Sequence, residues 1–173
     1  MLININLNFF VLALIWALTI VMLILAIPRH QIREAMLIFM FKQVLTWLLG
    51  FIVVELGLLE YPVREFAYAS RSSFSFEYFI FPAVCVVFNL RFPVGRSFTR
   101  RLLWYLFFPS WMSFIESMLE KHTRLVHYVH WTWYWTWISL LITFFLSRQF
   151  YIWFYRKGQD SSAKPADSAA KRQ

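Results

Sequence analysis

The chain has 173 residues, 60% of them hydrophobic and 21% aromatic, with a formal net charge of +8. That much apolar surface on so short a chain excludes a soluble globular domain. It also removes nucleic acid as the reason for the positive charge, because the solvent is lipid. One cysteine, Cys85, excludes an internal disulfide and any multi-cysteine metal site, and within its apolar run it reads as a small hydrophobe.

Five apolar stretches predict an all-α fold: a polytopic transmembrane bundle of five helices over residues 1–157, followed by a disordered tail over 158–173. The first span, about 9–27, closes at Pro28 and Arg29. It has neither a basic leader nor a small-residue cleavage pattern and reads as a retained helix. The second, about 35–59, ends at Tyr61-Pro62. It carries Lys42, which either snorkels to the near interface or turns inward towards Asn89. Its residues Gln43, Thr46, Gly50 and Gly57 form a stripe on which another backbone can approach closely.

The third span, about 74–92, has Pro82 near its middle, and the fourth, about 102–119, contains Pro109. Both prolines are tolerable kinks where neighbouring helices satisfy the freed carbonyls. The fifth span, about 131–155, opens on Trp131, Trp133, Trp135 and Trp137, amphipathic rings suited to the headgroup level. Along it Thr132, Thr136, Ser139, Thr143 and Ser147 make one continuous hydroxyl stripe, expected to face the bundle interior. The stretches are too long, and too uniformly apolar, for barrel strands.

An odd number of spans places the termini on opposite sides. Twelve of the seventeen Lys and Arg residues then share the side of the 28–34 and 91–101 connections and the C-terminal end, while Arg64, Arg71, Lys121 and Arg124 lie opposite. This bias predicts an outside N-terminus and a cytoplasmic C-terminus.

The chemistry-bearing groups gather at the outer end. Ser110, Ser113, Glu116, Ser117 and Glu120 share a face of the fourth span, and His122, His127 and His130 follow it. Glu55 and Glu60 end the second span on that side, and Glu77 begins the third. The outer-face cluster is therefore Glu55, Glu116, Glu120, His122, His127 and His130, and three readings stay open. Glu116, Glu120, His127 and His130 are ligand types for a divalent metal such as Zn, Mn or Fe, although their spacing matches no metalloenzyme signature. Buried carboxylates and imidazoles can relay protons. Wet interfacial groups paired with Lys121 and Arg124 need neither function.

The stretches Phe81-Pro82-Ala83-Val84-Cys85-Val86-Val87-Phe88-Asn89-Leu90 and, more clearly, Glu120-Lys121-His122-Thr123-Arg124-Leu125-Val126-His127-Tyr128-Val129-His130-Trp131 continuing to Arg148, carry a resemblance. They resemble a functionally uncharacterised family of small multipass membrane proteins of endospore-forming Gram-positive bacteria. The resemblance implies a multi-pass protein of the bacterial cytoplasmic membrane or the spore inner membrane, and carries over no activity and no catalytic residue.

No hydrolase elbow, phosphate loop, zincin or paired-cysteine redox motif is present in the sequence. The leading expectation is a non-enzymatic accessory or structural membrane component. The alternatives are a small ion or proton pathway in a homo-oligomer, and a metal-dependent enzyme acting on lipid or isoprenoid. The expected partners are the bilayer and either further copies of the chain or another membrane protein; the expected cofactor, on the enzyme reading alone, is the divalent metal.

Overall fold

Long apolar runs become helices because, without water, the backbone must satisfy its own N–H and C=O groups. The computed structural model describes the backbone of residues 2–170 and the side chains of residues 7–155. Its helices are α1 (Leu2–Ala26), α2 (Ile32–Glu55), α3 (Phe81–Leu90), α4 (Phe98–His122) and α5 (Trp133–Ala170). A six-residue π turn, Ser75–Ile80, leads directly into α3.

Three stretches, Leu7–Ala26, Arg29–Glu55 and Trp133–Tyr155, are long and apolar enough to cross a membrane. The other two expected spans differ from these. The π turn and α3 together are apolar but shorter, while α4 has 25 residues and carries Arg100, Arg101, Glu116, Glu120 and Lys121. Exposed apolar side chains run along the bundle exterior, with Phe10, Ile24, Leu25, Val44 and Leu103 among the most open, as suits a lipid solvent. The tail expected to be disordered, 158–173, continues α5 as helical backbone to Ala170; residues 171–173, and side chains past Tyr155, lie outside the described residues.

Pro82 explains why α2 packs on α3 with a polar edge. Proline has no N–H, so it cannot donate to the carbonyl five residues back, as the π register requires, nor to the one four residues back, as an α-helix requires. Those carbonyls belong to Glu77 and Tyr78. Thr46 Oγ1 donates to Glu77 O at 2.6 Å, and Gln43 Nε2 donates to Tyr78 O at 2.9 Å. Two side chains of one helix thus replace the two bonds that the proline removes from another. Gln43→Leu and Thr46→Val are each expected to lower stability by about 1 kcal/mol. Introducing Pro82→Ala should recover part of that loss, as measured by denaturant unfolding in detergent micelles.

Gly57 is not part of the α2 packing stripe. It lies beyond the helix with φ +65°, in the left-handed region that favours glycine. Its N–H donates to Val54 O at 3.0 Å and the Leu58 N–H donates to Val53 O at 3.1 Å, a Schellman stop. The stop turns the chain into β1 (Leu59–Glu60), which pairs antiparallel with β2 (His127–Tyr128), Leu59 opposite Tyr128 and Glu60 opposite His127. This short ribbon ties the α2–α3 connection to the α4–α5 connection.

Two apolar clusters fill the interior. One, near the ribbon, gathers Leu12, Leu59, Tyr61, Phe76, Leu119 and Leu125. The other, in the half holding the start of α2, gathers Ile38, Val86, Phe88, Phe108, Met112 and Phe144 around edge-to-face rings. Between them lies a polar layer.

Candidate functional site

The hydroxyl stripe of α5 turns inward, as its spacing predicts: Thr136, Thr143 and Ser147 are buried, and Thr132 and Ser139 half-buried. Opposite it, Thr46 and Gly50 of α2 are buried, and so are Glu77 of the π turn and Glu116 of α4. Together these elements enclose a cavity of about 130 Å³ whose walls include Gly50, Tyr61, Glu77, Glu116, Trp131 and Thr143.

Gly50 sets the position of Glu77. A Cβ at residue 50 would lie 2.7 Å from Glu77 Cδ and 2.8 Å from its Oε1, so the carboxyl group occupies space that any other residue would fill. Tyr61 donates its hydroxyl to Glu77 Oε1 at 2.9 Å. Glu116 Oε1 accepts two hydroxyls, from Tyr128 at 2.9 Å and from Thr136 at 2.8 Å. Trp131 Nε1 in turn donates to Thr136 Oγ1 at 2.8 Å, which fixes the threonine that serves Glu116. The two carboxyl groups are near enough to act on each other electrostatically.

Lys42 lies at the inner end of this layer, with no exposed surface. It neither snorkels nor reaches Asn89. Its ammonium donates to Thr143 Oγ1 and stands 4.6 Å from the centre of the Phe144 ring. Asn89 forms a separate knot further along α5, donating to Cys85 O at 3.0 Å and to Ser147 Oγ at 3.1 Å. Cys85 is buried there and donates to the same Ser147 hydroxyl, as a small polarisable core residue would.

The outer-face cluster does not assemble. Glu116 points into the chamber, whereas Glu55, His122, His127 and His130 are exposed and Glu120 is half-buried. His122 Nδ1 contacts its own helix at Met118 O, 2.9 Å away. The four residues Glu116, Glu120, His127 and His130 are therefore not a ligand set, and no three His, Cys, Asp or Glu side chains among the described residues form a group able to hold a metal. The reason is geometric: the ribbon turns His127 outwards and Tyr128 in, so alternation along an extended strand separates imidazole from carboxyl.

Sequence reasoning gave Glu77 only a place at the start of a span, and missed Tyr61 and Tyr128 entirely. An acidic residue inside an apolar run was the available signal for Glu77. The tyrosines carried none, because their roles arise from pairing between distant loops. The tryptophan run also divides: Trp131 bonds inwards to Thr136, Trp137 bonds at the exposed face of α4 to Ser110 Oγ at 2.9 Å, and Trp133 and Trp135 stay exposed where anchoring rings belong.

Burial first, and then the charges of Glu77 and Glu116, hold the Tyr61 phenol well above its ordinary range. Burial, followed by Glu116, does the same for Tyr128. The unfolded chain loses such protons near pH 10, so the stabilisation from neutral phenols is intact below about pH 10 and is lost as pH rises further. Thermal stability should fall above that pH, and the Tyr61→Phe, Tyr128→Phe double variant should show a shallower alkaline fall. An identical alkaline limb in that variant would assign it to other groups.

Comparison of the chain with protein-family models, with curated proteins and with solved structures returns no match.

Proposed function

We propose that this chain is a non-enzymatic, multi-pass membrane protein, with its N-terminus outside and its C-terminus in the cytoplasm. Its working part is the two-glutamate chamber, which takes up a proton or a small cation. One observation carries the reading: the buried layer holds two carboxyl groups, Glu77 and Glu116, against one ammonium, Lys42. With all three ionised the layer is one positive charge short of neutrality, and an apolar bundle tolerates uncompensated charge poorly. A role in packing alone would be served as well by apolar residues, without a glycine placed to admit Glu77.

The chamber supports binding better than passive conduction. Beyond Lys42 and Thr143 the interior is filled by Ile38, Phe88 and Phe144, none with exposed surface. A site closed at that end suits a sensor or an accessory subunit rather than an open pore. The metal-dependent enzyme reading has no ligand set to rest on.

Infrared difference spectroscopy of the reconstituted protein, taken between mildly acid and mildly alkaline pH, tests this. The wild type should show a buried-carboxyl band that diminishes in Glu77→Gln and again in Glu116→Gln. A small cation that occupies the site should suppress the same band. Glutamine variants whose spectra match the wild type would sink the proposal.

A further inference from the structure

At the other end of the bundle, the connection after α3 and the first turn of α4 meet α5 around a second cavity of about 460 Å³. Its polar wall is Arg101, Tyr105, Arg148 and Gln149. Leu102, Phe145 and Ile152 extend it along the apolar flanks of α4 and α5.

Arg148 makes this cavity more than a crevice. It is only 6% exposed, yet its Nε–H is buried without a partner. Nη1 donates to Asn89 O at 3.3 Å, and the guanidinium lies 4.3 Å from the centre of the Phe92 ring. The groups acting on it electrostatically are the Tyr105 and Tyr151 phenols, not a carboxylate. A buried guanidinium with a free N–H and no carboxylate beside it among the described residues is an incomplete site, because a charged donor left unsatisfied costs more than a neutral one. The surroundings favour an anion as the missing partner. Arg101 projects from the first turn of α4, and Ser97 provides no side-chain cap for that helix start, leaving its first N–H groups free to polarise towards negative charge. Arg91, Arg96 and Arg100 flank the same connection.

We propose that this cavity binds a phosphate-bearing ligand, with the phosphate seated between Arg148 and Arg101. The apolar flank of Leu102, Phe145 and Ile152 marks the path of an acyl chain when that phosphate belongs to an anionic phospholipid. This site is separate from the glutamate chamber and stands or falls independently of it.

The test uses full-length protein in a neutral detergent. Thermal unfolding is followed with added phosphatidylglycerol, phosphatidylcholine or inorganic phosphate, alongside native mass spectrometry of retained lipid. Phosphatidylglycerol should raise the unfolding temperature where phosphatidylcholine does not. Arg101→Gln, an exposed change that the fold should tolerate, should weaken that effect about fivefold, the loss of roughly one arginine–anion contact. Arg71→Gln, on the α2–α3 connection, should leave it unchanged. Arg148→Lys keeps the charge but loses the guanidinium N–H, and should weaken binding likewise. If that variant does not fold, Arg101→Gln alone decides. Equal stabilisation by inorganic phosphate, competing with the lipid, would uphold the site and identify free phosphate as its ligand. Phosphatidylglycerol acting no better than phosphatidylcholine, or acting equally on Arg101→Gln, overturns the proposal.

Discussion

Gly50→Ala is expected to destabilise the protein by about 1–2 kcal/mol, although alanine is normally the better residue inside a helix by about 1 kcal/mol. The new methyl group would be driven against the Glu77 carboxyl, whose Cδ lies 2.7 Å from the Cβ position. Glu77 can retreat only by leaving Tyr61, its hydroxyl donor at 2.9 Å. The clash can be isolated with a double-mutant cycle. In a Glu77→Ala background the obstacle is gone, and Gly50→Ala should become neutral or stabilising, with a coupling of about 2 kcal/mol between the positions. Denaturant unfolding of the four proteins in one detergent measures it. A stabilising Gly50→Ala in the wild-type background would mean that the glutamate does not rest on the glycine.

Thr143→Val is expected to destabilise more than Lys42→Met, by about 2–3 kcal/mol, despite being the smaller change of shape. Removing the threonine hydroxyl leaves a fully buried ammonium without its hydrogen-bond acceptor, beside the Phe144 ring. Removing the ammonium leaves Thr143 satisfied, since its Oγ1 still donates to Leu140 O at 3.0 Å, and a proton held by Glu77 or Glu116 offsets the lost positive charge. Methionine fills much of the lysine volume, so the packing around Phe144 is kept. Lys42→Met should therefore fold well and yet alter ion uptake by the chamber, separating stability from function at one position. The opposite order of stabilities would show that the lysine is satisfied by something other than Thr143.

Much of this architecture was legible in the sequence, for identifiable reasons. Helix positions follow from uninterrupted apolar runs, and the inward face of α5 follows from hydroxyls recurring every three or four residues, because a helix has one period and lipid rewards one pattern. Proline 82 could be read as a tolerated break, but not that Gln43 and Thr46 would supply the missing bonds. That required knowing which helix lies alongside. Glu116 stands out in the sequence as a carboxylate in an apolar run, but in the wrong company. Its neighbours Glu120 and His122 stay on α4 but open towards the exterior, and His127 parts from it where an extended strand begins. Its real partners, Tyr128 and Thr136, flank a turn whose geometry no helical spacing encodes. Gly57 shows a similar ambiguity: a glycine seven residues after Gly50 suits a packing stripe or a helix stop equally well until φ is known.

The ribbon of Leu59–Glu60 with His127–Tyr128 also fixes the order in which the molecule can be completed. A ribosome releases Lys42, Glu77 and Glu116 before it has made Tyr128, and α5 follows all of them. Strand pairing across such a separation in the chain must wait for the intervening helices to be placed. The chamber thus cannot close until α5 has been made. A nascent chain halted before Trp133 holds all three ionisable side chains without the helix that walls them in, and would be a ready substrate for membrane quality control.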